Sequence, residues 1–309
     1  MERILISGGN GFLGRYLIKK ILENGYLVTV VDNLSTSKKV TLPKEVHFIN
    51  SSIEDFSTDE TYEYVIHLAA RPSPEDYIQN PVKTLTSNSI GTIKMLEIAR
   101  KSNATFMYTS SSEIYGDAEI IPTSETYFGY VNSVGQRSCY DEGKRFSEAL
   151  IMAYHKEYVM DTRIQRPFNV YGPGIREDGS YGRVIPRFIM QALNGDPITI
   201  HGTGEQTRSF LFVEDWVEAS WRLLLRDGLK GEIINIGSEK EVSIRNLADK
   251  IIKKTNSSSN ILFTGTRSDD PNRRAANINK AYRLLNWEPK IELDVGLDIT
   301  IKWFKRGME

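Results

Sequence analysis

The stretch that decides the fold is Ser7-Gly8-Gly9-Asn10-Gly11-Phe12-Leu13-Gly14, which follows the apolar run Ile4-Leu5-Ile6. Gly8, Gly11 and Gly14 recur at three-residue intervals where a strand-like run gives way to helical spacing. Glycines there permit a tight turn and a close backbone approach, and the N–H groups that open the following helix attract the pyrophosphate of a dinucleotide. The motif alone also describes a plain strand-to-helix turn. Asp32 supplies the context. It closes the second apolar run, where a carboxylate accepts hydrogen bonds from the adenosine ribose hydroxyls and repels a 2′-phosphate, so the pattern predicts NAD rather than NADP. Asp32 read as a mere turn residue before Asn33 is the alternative. Phe12, Leu13 and Asn33 join these residues as expected cofactor contacts.

Working outward, short β-branched runs at 4–6, 27–31, 46–49, 64–68 and 105–108 alternate with helical stretches at 12–23, 81–101 and 139–158. Continuous apolar strands imply burial on both faces, and the βα alternation predicts an α/β, Rossmann-like doubly wound parallel sheet. Beyond Arg166 the alternation breaks into Gly/Pro-rich turns, with helices expected at 184–193 and 213–225. We therefore expect an NAD-binding domain over 1–168, with a returning segment near 209–236, and a smaller C-terminal α/β substrate lobe over 169–309. The polar run 255–260 reads as a surface loop. Trp216, Trp221 and Trp287 read as core.

Among the 309 residues, 39 Lys and Arg face 40 Asp and Glu, a net charge of −1 that provides no global field for nucleic acid or an anionic membrane. No apolar stretch approaches the length of a membrane span, and no apolar targeting segment precedes the first strand. The single cysteine, Cys139, excludes an internal disulfide and suits the cytoplasm. The four histidines lack metal-ligand spacing, so no metal is expected.

Tyr140 and Lys144 stand four apart on a predicted helix and share a face, an arrangement in which the ammonium is expected to lower the phenol's pKa. Such pairs also arise by chance on solvated helix faces. Upstream, the fifth strand runs into Thr109-Ser110-Ser111-Ser112-Glu113-Ile114-Tyr115-Gly116, which puts hydroxyls and a carboxylate at the sheet edge where ligands of such folds bind. A plain Ser-rich loop is the competing reading.

Together the glycine motif, the hydroxyls after strand five and the Tyr-x-x-x-Lys pair resemble the extended short-chain dehydrogenase/reductase family over essentially the whole chain. Longer runs, above all Tyr140-Asp141-Glu142-Gly143-Lys144-Arg145, are similar to its UDP-glucuronate decarboxylase (UDP-xylose synthase) branch. This resemblance implies Ser111 or Ser112 as the hydroxyl near the reacting sugar oxygen and Glu113 as an acid/base beside the ring. It also implies that Leu68, Ala69, Ala70, Asn88 and Thr109 contact the cofactor. Tyr77, Asn169 in the Asn-Val-Tyr-Gly-Pro turn, Arg183, Val184, Arg208 and Arg274 are implied as UDP-sugar contacts. Ala276 and Asn277 depart from the Pro and Asp usual in that branch. Ser112-Glu113 in place of Asp-Glu argues against a dehydratase.

The implied chemistry is oxidation at carbon 4 with Tyr140 as base, loss of carbon dioxide from the resulting β-keto acid, and return of the hydride. A nucleotide-sugar 4-epimerase is the nearest enzymatic rival, and a non-catalytic NAD-binding protein is the reading from another class. By the same resemblance a homodimer is expected, paired through the helices at 81–101 and 139–158.

Overall fold

A computed structural model describes residues 1–37, 41–176, 183–265 and 271–307. Its first half runs β1 (Arg3–Ser7), α1 (Phe12–Glu23), β2 (Leu27–Asp32), β3 (Val46–Asn50), β4 (Tyr64–His67), α2 (Pro74–Gln79), α3 (Pro81–Ser102), β5 (Thr105–Thr109), α4 (Ser138–Tyr158) and β6 (Thr162–Pro167). The second half runs β7 (Val170–Tyr171), α5 (Val184–Asn194), β8 (Ile198–His201), β9 (Thr207–Ser209), β10 (Leu211–Phe212), α6 (Val213–Leu225) and β11 (Ile233–Ile236). It closes with β12 (Glu241–Ser243), α7 (Ile244–Thr255), β13 (Ile261–Thr264), β14 (Arg273–Arg274), α8 (Asn279–Leu285) and α9 (Leu293–Arg306).

Seven parallel strands in the order β3-β2-β1-β4-β5-β6-β11 form the central sheet. Side chains alternate across a strand, so β1 sends Ile4 and Ile6 into a core shared with α1 and α6, while Leu5 enters a second core shared with α3 and α4. Helices on both faces explain why the central strands read as uninterrupted apolar runs. β3 departs from that expectation: it lies at the sheet edge, and Phe48 on it is 37% exposed. β11 returns from the second half to pair with β6. Arg163 on β6 seals the end of α6, donating to the carbonyls of Leu223, Leu224 and Arg226 at 2.8–2.9 Å.

The remaining strands make three small sheets, β7–β10, β12–β9–β14 and β8–β13. Trp216 and Trp287 are core residues, whereas Trp221 is half-buried, edge-on to Tyr26 at 5.6 Å. In the polar run, Thr255 completes α7 and Asn256, at φ 55°, turns the chain out into the loop. The order of β1 and β4, with β2 and β5 outside them, places a topological switch point at the carboxyl ends of the sheet.

Candidate active site

The carboxyl ends of β1, β2, β4 and β5 open into one cleft of about 530 Å³. Its floor is the glycine turn. Gly8 has φ +72°, and a Cβ there would lie 2.7 Å from the Ala69 backbone; a Cβ on Gly14 would lie 2.5 Å from the Gly9 carbonyl oxygen. A side chain at either place would fill or spread the cradle, so the close approach needed by a pyrophosphate is built in. At the end of β2, Asp32 accepts from the backbone N–H of Asn10 (3.0 Å) and of Leu34 (2.8 Å). Burial lifts its carboxyl above the usual range while these two bonds oppose the lift. Phe12, Leu13, Asn33, Leu68, Ala69, Ala70 and Thr109 line the same space. The groove thus fits a dinucleotide with an unphosphorylated ribose.

Deeper in, α4 presents Tyr140 and Lys144 toward β5. Both are buried, and Lys144 Nζ donates to the Thr109 carbonyl at 2.8 Å, 4.6 Å from the Tyr108 ring centroid and 5.9 Å from that of Tyr140. The expected lowering of the phenol does not occur in this site. Burial pushes the Tyr140 hydroxyl well up, Glu113 pushes the same way, and Arg183 and a hydrogen bond with Ser111 only oppose them. Burial also pulls the Lys144 ammonium down to about 7, against Glu148, so near neutral pH the cation that would have helped is only partly present. Of the two candidate hydroxyls, Ser111 reaches the phenol and caps the turn at Ser112–Tyr115 by accepting from Glu113 N at 3.2 Å; Ser112 is 2% exposed at the cleft wall.

Glu113 sits in a cage of cations and aromatic hydroxyls. Arg137 Nη2 lies 2.9 Å from its Oε2, Arg274 Nη1 lies 3.8 Å from its Oε1, and the Tyr77 hydroxyl donates to Oε2 at 3.3 Å. The Tyr77 ring stacks on Tyr140 at 5.1 Å and 11°. Burial alone would raise the Glu113 carboxyl, but Arg137, Arg274 and Arg183, with a hydrogen bond from Asp141, outweigh it and hold it below the usual range.

Across the cleft, parallel pairing of β14 with β9 sets Arg274 beside Arg208, both buried. Arg183 immediately precedes α5, whose first residue is Val184, and both line the cleft. Asn169, at φ 40°, lines it too, though its amide nitrogen is committed to the Ser209 carbonyl at 2.8 Å.

The structure therefore brings into one cleft the residues singled out above, with two corrections. Asn88 stays behind Gly143 on α3, wholly buried with its amide donating to the Thr84 carbonyl, because the close crossing of α3 and α4 shuts it off from the cleft. Tyr77 touches the site through Tyr140 and Glu113 rather than lining the cleft.

Residues without a place in the sequence reading of the site also appear. Arg137 pairs with Glu113; in the sequence it stood out only as one of the residues similar to the decarboxylase branch, with no role assigned. Arg15 donates to the Gly174 carbonyl and Arg176 to the Thr36 carbonyl, each at 2.8 Å, tying the two halves across the cleft. Asp269 and Asp270, which precede the Arg273-Arg274 stretch, lie outside the described residues. Among the described residues no group of three or more His, Cys, Asp or Glu is placed to hold a metal, and no helix is long and apolar enough to cross a membrane.

A profile of the NAD dependent epimerase/dehydratase family matches residues 4–237. The chain belongs to this family. NAD is accordingly its cofactor, in keeping with the glycine cradle and Asp32. Within the epimerase/dehydratase family it is 40% identical to UDP-glucuronic acid decarboxylase 1 of Xenopus tropicalis over all of this chain and 73% of that protein. It is 41% identical to UDP-glucuronic acid decarboxylase 3 of Arabidopsis thaliana over 98% of this chain and 89% of the relative. Among solved family structures, it superposes on UDP-glucose 4-epimerase of Thermotoga maritima with UDP-glucose at TM-score 0.93 and 31% identity, over 99% of this chain and 100% of that one. On UDP-glucuronic acid 4-epimerase of Bacillus cereus in complex with UDP-glucuronic acid and NAD the values are 0.89 and 28%, over 98% and 99%.

Proposed function

We propose that this enzyme decarboxylates UDP-glucuronate to UDP-xylose through a 4-keto sugar. The observation that carries the reading is the cage of Arg137, Arg274 and Tyr77 around Glu113, beside the buried Tyr140 in one cleft. Relatives named for this reaction, at about the same identity over nearly the whole chain, support it.

Bound NAD⁺ supplies the acceptor, and afterwards the donor, of a hydride at carbon 4, together with a positive charge near the phenol. Gly8, Gly11 and Gly14 would hold its pyrophosphate and Asp32 its ribose. Tyr140, as a phenolate to which Ser111 donates a hydrogen bond, takes the proton of the sugar 4-hydroxyl and becomes the neutral phenol. Lys144, fixed on the Thr109 carbonyl, stands beside that proton path. With a ketone at carbon 4, a carboxylate on carbon 5 becomes that of a β-keto acid, so carbon dioxide leaves with its electron pair accepted by the ketone as an enolate. Glu113 serves as the acid/base at carbon 5, and Arg274 and Arg208 bind the anionic parts of the substrate.

In this proposal residues 1–168, with the segment near 209–236, hold the cofactor, residues 169–309 hold the UDP-sugar through Asn169, Arg183, Val184 and Arg208, and the enzyme acts as a cytoplasmic homodimer. Exposed apolar side chains on α3, namely Val82, Leu85, Ile90 and Ile93, with Phe146 on α4, support the dimer. A 4-epimerase is the second reading, supported by the superposition on epimerase structures. Product analysis after incubation with NAD and UDP-glucuronate decides between them: carbon dioxide and UDP-xylose are expected, and UDP-galacturonate as the exclusive product would reject the decarboxylase.

A further inference from the structure

Glu113 has a second carboxyl at its side. Asp141, one residue past Tyr140 in α4, is 6% exposed. Its carboxyl lies within hydrogen-bond reach of Glu113 and 4.0 Å from Arg137 Nε, while its Oδ1 meets no donor. The groups that face this pair come from every neighbouring element: Tyr77 from α2, Arg137, Cys139 and Tyr140 from the start of α4, Arg274 from β14 and Arg183 from the head of α5. An acid in the first turn of a helix is ordinarily an ionised partner of the helix dipole. Here that role conflicts with the surroundings, because two adjoining buried carboxylates cannot both ionise without strong repulsion.

We propose that Asp141 is a positioning residue, the protonated partner that hydrogen-bonds the Glu113 carboxylate, fixes it beside Tyr140 and keeps the pair at one negative charge. The inference rests on the reading of Glu113 as the acid/base of the decarboxylation. Which partner keeps the proton follows from the arginines. Arg137 lies 2.9 Å from Glu113 but 4.0 Å from Asp141, so the negative charge settles on Glu113. Burial, and then Glu113, push the Asp141 carboxyl up to about 8, with Arg137 opposing. Above that pH the proton leaves for solvent, a second negative charge appears, and the hydrogen bond that holds Glu113 is lost.

The test compares the NAD-loaded wild type with D141N and D141A. In the wild type, kcat for UDP-xylose formation falls as pH rises through about 8. In D141N, whatever its plateau, the amide still donates and cannot ionise, so that fall moves to higher pH. D141A loses the donor, and kcat at neutral pH drops about ten- to a hundredfold, the size of one hydrogen bond to a charged group. Difference infrared spectroscopy of wild-type protein labelled with ¹³C-aspartate gives a readout free of turnover and of variant folding. A protonated-carboxyl band shifted by the label, titrating near pH 8, is expected. Absence of that band at neutral pH, or an unchanged basic limb in folded D141N, overturns the proposal. A wild type that shows the band but makes no UDP-xylose at any pH instead rejects the decarboxylase reading.

Discussion

At the scale of single residues, the site departs most from solution chemistry at Tyr140 and Lys144. A buried phenol pushed well up and a buried amine brought down to about 7 cannot act as the simple ion pair suggested by their spacing. Proton removal from the substrate therefore depends on what joins the phenol: Ser111, and the cofactor's charge when bound. Replacing Tyr140 with Phe is expected to lower kcat by about 10²- to 10⁴-fold while NAD titrations and thermal melting stay near wild type; undiminished turnover would remove Tyr140 from its role as base. Lys144 leaves a mark on stability as well. Its amine titrates near 7 in the fold and near 10.5 when unfolded, so the unfolded chain binds more protons between these values and stability rises with pH across that window. Urea midpoints without added nucleotide should rise from pH 7 toward pH 10, and Lys144→Met should flatten that rise; an equal slope in both proteins would show that burial does not perturb the amine.

At the scale of elements, the chain holds its site by fastening α4 to the sheet. Arg166 on β6 forks onto Glu148 of α4 at 2.6 and 3.0 Å and also donates to the Tyr115 hydroxyl (2.7 Å) and the Glu125 carbonyl (3.1 Å). The same helix carries Tyr140, Asp141 and Lys144 on its first turns, so a buried ion pair near its middle sets their register against β5. Removing one partner of such a pair strands the other charge in the interior. Arg166→Met is expected to cost about 3–5 kcal/mol in urea unfolding, and the double replacement Arg166→Met with Glu148→Leu should recover much of it. If the single replacement proves neutral, water reaches Glu148 and the pair is not buried as described.

At the scale of the whole molecule, two features remain after the cores are filled: a cleft between the sheet edge and the second half, and an uncovered apolar strip along α3 and α4. Arg15 and Arg176 bridge the cleft by bonds to carbonyls of the opposite half, so its width is set by backbone positions that ligand charge need not disturb. The strip is the proposed dimer face. Leu85 is 42% exposed there, and Leu85→Asp should shift sedimentation toward monomer without loss of secondary structure. A wild type that already sediments as a monomer would reject the dimer.

The local pattern of residues was enough to establish the sheet class, the first five strands, the helices at 12–23 and 213–225 to the residue, and the glycine turn, because these follow from side-chain periods of two and 3.6 and from the backbone freedom of glycine. Less of the second half was read: α8 and the two- to four-residue strands are too short to stand out from loops, whereas α7 and α9 bury residues at helical spacing, Ile244, Leu247, Ala248 and Ile251 in the one and Leu297, Thr300, Ile301 and Phe304 in the other, and are not among the expected helices. Only the tertiary structure decided which charges meet. Arg137 and Arg274 reach Glu113 from α4 and β14, elements far apart in the chain, and Asp141 meets it because the start of α4 crosses the end of β5. The same holds for the protonation of Tyr140, Asp141 and Lys144, since burial and neighbouring charge set it, and both arise only once distant segments have closed over one another.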